Sequence, residues 1–151
     1  MTDIYSRMNL IMESIGTVCR ILKKNCLYVS SGDIEFDMAI KRIRKFLNLD
    51  TNEAAIFSLV FLTYFAYKER PICFTHISDE IDVNVLRILS FREIFDSLEQ
   101  KGIITIGEMN DKQYSNSKFY RIPENVVNAV LAKDEKLLYI KGKKKNRNLI
   151  Y

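Results

Sequence analysis

One long apolar run limits what this chain can fold into. Its 14 residues, Ala54 to Tyr67, lie between Glu53 and Lys68 and are mostly apolar. A helix that spans a bilayer needs roughly 20 such residues. The run therefore predicts a helix buried at the centre of a globular core, with Asp50 or Thr51 as its cap.

Two amphipathic helices are predicted before this central helix. Asp3 can cap the first, which ends near Lys24, because apolar residues recur at spacings of three and four. The turn residues 30–33 place Asp33 as the cap of a second helix. The exposed face of that second helix is expected to carry Lys41, Arg42, Arg44 and Lys45.

A different order of elements is predicted after the central helix. Pro71 ends that helix, and residues 72–74 form one brief strand. Thr75 then caps a short helix that ends near Ile81, and Asn84 caps a longer helix over 84–101. Gly102 stands where a left-handed residue is needed to end it.

The remaining elements are a hairpin and a last helix. The runs 103–109 and 118–122 are β-prone, and the polar stretch 110–117 between them suits a hairpin loop, which makes a wing over about 109–118. Pro123 opens a short helix. The order predicts a mainly helical chain with a small β wing, namely a winged helix-turn-helix with two extra N-terminal helices and one C-terminal helix. Residues 1–48 are the helical extension packed on the core, 49–132 the winged helix-turn-helix, and 133–151 a basic tail or linker.

Composition narrows the classes of protein to consider. The chain of 151 residues is 48% hydrophobic and 28% charged, which suits one globular core. No pattern of a secretory signal is evident, so we expect a cytoplasmic protein. Cys19, Cys26 and Cys73 have no C-x-x-C spacing and are expected to be reduced, buried thiols. His76 is the single histidine, so no zinc site is expected.

The net charge of +4 is unevenly distributed along the chain. From Lys133 to Tyr151 there are seven basic and two acidic side chains, which leaves the other 132 residues at −1. Residues 50–122 hold eight basic and eleven acidic side chains. The predicted winged helix itself is therefore not basic.

Part of the chain resembles the winged-helix region that precedes the ATPase module of bacterial AAA-family ATPases. The resemblance covers about Leu47 to Leu131 and is carried by three segments, Leu49-Asp50, Val85-Leu86-Arg87-Ile88-Leu89 through Leu98-Glu99-Gln100-Lys101-Gly102-Ile103-Ile104, and Phe119-Tyr120-Arg121-Ile122-Pro123. It implies an accessory or regulatory part of a larger ATPase, with the basic segment as the linker to that module. The chain has no G-x-x-x-x-G-K-S/T loop, so no ATPase residue is carried over.

The sequence offers one weak constellation for catalysis. Thr75, His76 and Asp79 are close together, but a helix cap and an exposed turn explain them better than catalysis does. We therefore expect no enzyme activity, no catalytic residue, no metal and no cofactor.

Double-stranded DNA is the first partner to consider. A reading helix over 84–101 would present Arg87, Ser90 and Arg92 to the major groove. The wing would add Lys112, Asn116 and Lys118, and the tail would contribute Lys143, Lys144, Lys145 and Arg147 as a nonspecific arm. Five nearby carboxylates oppose phosphate binding, namely Asp79, Glu80, Asp82, Glu93 and Asp96.

A protein-interaction or dimerisation module without DNA binding is the alternative. The reading helix has more apolar residues than one helical stripe can bury, and we expect Val85, Ile88 and Phe91 to form the surplus face. The N-terminal helices, a second copy of the chain, or a downstream ATPase domain could cover that face. An acidic or apolar surface at this helix would favour a protein partner, and continuous positive charge would favour DNA.

Overall fold

The computed structural model of the protein describes residues 9–29, 32–107 and 118–140. Over these ranges the chain is mainly helical, with a small antiparallel sheet. The α-helices, in chain order, are α1 Leu10–Lys24, α2 Ile34–Leu47, α3 Thr51–Ala66, α4 Phe74–Ile81, α5 Val85–Leu89, α6 Arg92–Gln100 and α7 Glu124–Ala132. The strands are β1 Thr105–Gly107 and β2 Phe119–Arg121, and a 3-10 helix covers Glu135–Ile140.

Helix α1 begins later than the sequence predicts. Asn9 has an extended backbone, and its side-chain oxygen accepts the N–H groups of Ile11 and Met12 at 3.0 and 3.2 Å. This side chain therefore caps the helix at Leu10, in place of the predicted cap at Asp3, which lies outside the described residues. Helix α2 begins as predicted, because the Asp33 carboxylate accepts the Phe36 N–H at 3.0 Å.

Helix α3 is the buried centre of the fold, as its apolar sequence predicts. Asp50 is its cap, and Asp50 and Glu53 exchange backbone-to-side-chain hydrogen bonds in a capping box. The helix packs against α1 and α2 and also against α4 and α6. Buried side chains from all of these helices form one hydrophobic core.

The start of α4 corrects the predicted cap. The helix begins at Phe74, so Thr75 lies inside it and is exposed. The orphan N–H of Cys73 donates to Nδ1 of His76 at 3.0 Å. The sequence predicted a cap at Thr75, whereas the capping position is Cys73 and the His76 side chain three residues later accepts its N–H.

The predicted helix over 84–101 is two helices, α5 and α6, with a break at Ser90 and Phe91. The Ser90 hydroxyl donates to the Arg87 carbonyl at 2.6 Å, and the Phe91 N–H donates to the Ile88 carbonyl at 3.0 Å. Such bonds tighten the last turn and compete with the regular helical pattern. The remaining signals were predicted correctly, because Asn84 caps α5 and Gly102 follows α6 with φ +75°.

Strand β1 begins at Thr105, two residues later than the predicted run 103–109, whose last two residues lie outside the described ranges, and β2 covers three of the predicted residues 118–122. Ile106 pairs with Tyr120 at the centre of the antiparallel register. Tyr120 also exchanges two backbone hydrogen bonds with Ile72 of the predicted brief strand, at 2.7 and 2.9 Å. A Cβ at Gly107 would lie 3.0 Å from the Pro71 side chain, so glycine permits this close approach.

Helix α7 brings the last described residues back to the start of α1. The Asn9 side-chain amide donates to the Val130 carbonyl at 2.7 Å. Pro123 immediately precedes α7 rather than forming its first turn. The Asn125 amide donates to the Leu138 carbonyl at 2.9 Å and so joins the 3-10 helix to α7.

Candidate interaction surface

Helix α5 exposes two leucines beside the exposed side chain of Arg87. Ile88 is fully buried, whereas Leu86 and Leu89 are 68% and 37% exposed. The sequence predicted the opposite, with Ile88 on the surplus face and the two leucines in the core. That interpretation is wrong because the buried stripe runs through Ile88, Phe95 and Leu98, and the leucines lie on the other side.

The other predicted members of the surplus face, Val85 and Phe91, are half-buried. Phe91 packs on the hydrophobic core and lines a cavity of about 220 Å³ with side chains from α1, α2 and α3, among them Leu22 and Phe36. Phe91 therefore faces the N-terminal helices. Only Val85 of the predicted three borders the exposed leucines.

A shallow depression beside α5 joins residues from distant parts of the sequence. We call this depression, together with Leu86, the α5 surface. Arg92 of α6 and Lys118 before β2 both line it, as does Asp96. The depression is lined by Cys73, Phe74, Thr75, Val85, Leu89, Arg92, Asp96, Lys118 and Tyr120. The depression thus combines two cations and one carboxylate with apolar side chains.

Four of the ten predicted DNA contacts lie within the residues that the structure describes. Arg87, Ser90, Arg92 and Lys118 are all exposed. The Ser90 hydroxyl proton is directed to the Arg87 carbonyl, so this side chain does not offer a free donor. Lys112, Asn116, Lys143, Lys144, Lys145 and Arg147 lie outside the described residues.

A buried charged network fixes α6, which carries Arg92, to α3. Glu53 is 3% exposed and accepts hydrogen bonds from the Asp50 N–H at 3.0 Å, the Lys101 ammonium at 2.6 Å and the Ser97 hydroxyl. Burial alone would raise the pKa of Glu53, but the hydrogen bonds and the nearby Lys101 charge together lower it. The carboxylate is therefore held in its charged form. Sequence reasoning treated Glu53 only as a helix-start residue and missed this contact.

His76 has a structural role in the described fold. Its ring stacks on Tyr67 with centroids 4.5 Å apart, and its Nδ1 accepts the Cys73 N–H. Burial lowers the pKa of His76, and the charge of Asp79 partly opposes that effect. The neutral ring is the form that can accept the bond, so the weak constellation Thr75, His76 and Asp79 is organised around a helix start.

The cysteines differ in environment. Cys19 and Cys73 are buried as predicted, whereas Cys26 is exposed. Cys26 lies in the turn after α1 and has a left-handed backbone, with φ 52°. Burial raises the pKa of Cys19 to about 12. Its thiol donates to the Ser58 carbonyl at 3.1 Å.

The described residues contain neither a candidate metal site nor a helix that could span a membrane. Across residues 9–29, 32–107 and 118–140, no group of three or more His, Cys, Asp or Glu side chains could hold a metal ion. In the same ranges no helix combines the length and the apolar character needed to cross a membrane. In comparisons with known proteins, the chain matches no protein family, no curated protein and no solved structure.

Proposed function

We propose that residues 49–132 are a non-catalytic winged helix-turn-helix that contacts a partner protein through the α5 surface. The order α3, Ile72, α4, α5 and α6, β1, β2 supports the fold assignment. The pairing also supports it, because Ile72 and β1 lie on opposite sides of β2. This arrangement is the one expected of a helix-turn-helix followed by a wing.

The exposure of Leu86 is the observation that carries the functional proposal. A leucine that is 68% exposed in the middle of the presumed reading helix offers no hydrogen bond to a base edge. Leu89 and Val85 extend the apolar area. Exposed apolar patches with a polar border are typical of protein contacts.

The charges around α5 also favour a protein partner over DNA. Asp79, Asp82 and Asp96 are exposed on the neighbouring elements, and each would be repelled by phosphate. Arg92 and Lys118 border the apolar floor instead of forming a continuous positive face. A partner that presents apolar side chains flanked by carboxylates would complement this surface. The resemblance to AAA-family proteins suggests a downstream ATPase module as that partner.

Double-stranded DNA is a second candidate, favoured by one observation. Arg92 and Lys118 are far apart in sequence and line one depression, which Thr75 also lines. Together with Arg87 they could hold phosphates. Phosphate contacts would position a duplex without reading its sequence.

Site-specific crosslinking tests the protein-contact proposal. The photoreactive residue benzoylphenylalanine replaces Leu86 in the full chain, and the matched control replaces Ile34, which is 74% exposed on α2. We expect position 86 to give a crosslinked protein that position 34 does not. Mass spectrometry of the product identifies the partner.

Binding of that purified partner completes the test. Leu86→Ser with Leu89→Ser should raise the Kd at least about tenfold, because two apolar contacts lose area. The matched control, Ile34→Ser with Met38→Ser, should change it less than about twofold. Equal crosslinking from positions 86 and 34, or equal binding by the two double variants, would refute the proposal. A crosslink to a second copy of the chain would identify that copy, and not an ATPase module, as the partner of the α5 surface.

Titration of a mixed-sequence duplex separates the second candidate. If the chain binds duplex DNA and Arg92→Ala with Lys118→Ala removes that binding while the leucine variants retain it, the α5 surface is a DNA contact. That outcome would overturn the protein-contact proposal.

A further inference from the structure

A second surface lies where the start of α1, the end of α2 and the segment after α7 meet. Arg42 and Lys45 of α2 form one side of a groove, and Lys133 and Lys136 form the other. Leu10 and Phe46 also line it. We call this the basic groove. The hydrogen bond from Asn9 to the Val130 carbonyl joins the start of α1 to α7 next to this groove.

The groove carries an excess of positive charge. Asp134 and Glu135 are the carboxylates that line it, against four cationic side chains. The Asp134 carboxylate accepts the Lys136 N–H at 3.0 Å and so is engaged in starting the 3-10 helix. Positive charges from α2 and from the segment after α7, which are distant in the sequence, therefore lie around one groove.

Aromatic side chains accompany these cations. Phe46 is half-buried in the groove, and Tyr139 is 81% exposed. Tyr139 stands three residues after Lys136 in the 3-10 helix, and residues at that spacing lie above one another. The phenol ring of Tyr139 and the ammonium group of Lys136, which lines the groove, are therefore on the same side of the 3-10 helix.

We propose that the basic groove binds single-stranded nucleic acid. Cations that follow a phosphate backbone, together with exposed rings on which unpaired bases stack, are the features by which proteins hold single strands. In a duplex the bases are already stacked on one another and are not available to Phe46 or Tyr139. This activity is independent of the partner contact at α5.

The experiment is a fluorescence-anisotropy titration of the full chain with a labelled mixed-sequence 12-nucleotide single strand at two salt concentrations. The test variant is Arg42→Gln with Lys45→Gln. The matched control is Lys23→Gln with Lys24→Gln, which removes the same charge from exposed positions about 20 Å from Leu10 along α1. Every variant retains the basic C-terminal segment.

The test variant should bind at least about tenfold more weakly, and the control should bind within about twofold of the unchanged chain. Loss of two phosphate contacts should reduce the slope of log K against log salt by about 1.4. Tyr139→Leu should weaken binding about fivefold or more, whereas Tyr139→Phe should retain it, because stacking needs the ring and not the hydroxyl. Circular dichroism checks that each variant is folded.

Several results would overturn the proposal. These are absence of binding by the unchanged chain, equal losses in the test and control variants, and equal binding by Tyr139→Leu and Tyr139→Phe. A duplex that binds as tightly as the single strand would also overturn it. So would binding of vesicles that contain phosphatidylserine in the absence of oligonucleotide binding.

Discussion

The two sides of α3 are held by different kinds of contact. Toward α1 and α2 the contact is apolar, with Val18 and Ile43 both fully buried. Toward α6 the contact includes the buried Glu53 carboxylate, which binds Lys101 and Ser97. Apolar packing depends on area and volume, whereas hydrogen bonds are directional. We infer that the first side supplies most of the stability and that the second sets the orientation of α6.

The largest effect is expected on the apolar side. Ile43→Ala should lower the free energy of unfolding by about 3 to 4 kcal/mol, because it leaves a cavity in a closely packed contact. Urea denaturation followed by circular dichroism measures this change. Ile34→Ala on the exposed face of the same helix should cost less than about 0.5 kcal/mol. Similar losses in both variants would show that α2 is not packed as described.

A smaller loss is expected on the polar side. Glu53→Ala should cost about 2 kcal/mol, since it leaves the Asp50 N–H, Ser97 and Lys101 without their acceptor. The same denaturation experiment applies, with Glu93→Ala, an exposed carboxylate of α6, as the control. If Glu53→Ala costs no more than Glu93→Ala, then the charged contact contributes nothing to the attachment of α6.

Acid should weaken the start of α4, where the His76 ring accepts the Cys73 N–H. The pKa of His76 is lowered below its usual 6.5 in the folded protein, so the unfolded chain takes up the proton more readily. Its contribution to stability is complete above pH 6.5 and is lost as the pH falls through the lowered pKa. Thermal unfolding between pH 7 and pH 5 measures this loss. His76→Gln, which removes the single histidine, should give a flatter profile. An unchanged profile would mean that the helix start does not depend on the neutral ring.

The smallest effect is expected at the α5 surface. Leu86→Ser should change the free energy of unfolding by less than about 0.5 kcal/mol, because this side chain has little folded contact to lose. Ile88→Ala, two residues away and fully buried, should cost about 3 kcal/mol. A large loss in Leu86→Ser would indicate that the leucine is buried and would remove the basis for the protein contact.

Local signals in the sequence predicted much of the helical order. The caps Asp33, Asp50 and Asn84 were predicted correctly, because a capping side chain acts on a backbone N–H two or three residues away. The cap of α4 was missed because cysteine is not a usual capping residue, and the N–H of Cys73 is accepted by the His76 ring three residues later. The break at Ser90 was missed because the sequence does not show which backbone carbonyl a serine hydroxyl will bind.

The surfaces were harder to predict than the helices. Both sides of α5 are apolar in sequence, so periodicity could not decide between Ile88 and Leu86 for the core. The proximity of Arg92 to Lys118 depends on the pairing of Ile72 with Tyr120, which is a tertiary contact. The basic groove likewise depends on the packing of α7 against α1. The charged face of α2 was predicted, but the sequence could not show that Lys133 and Lys136 lie opposite it.

The bond between Asn9 and the Val130 carbonyl has a consequence for how this fold can be joined to other proteins. It places the entry of the chain into α1 beside its exit from α7, although the two residues are 121 positions apart. Neighbouring ends are the condition under which a domain is tolerated as an insertion in a surface loop of a host, or can be circularly permuted. The fold could therefore be inserted in a loop of a larger protein as readily as it could be linked in tandem with other domains.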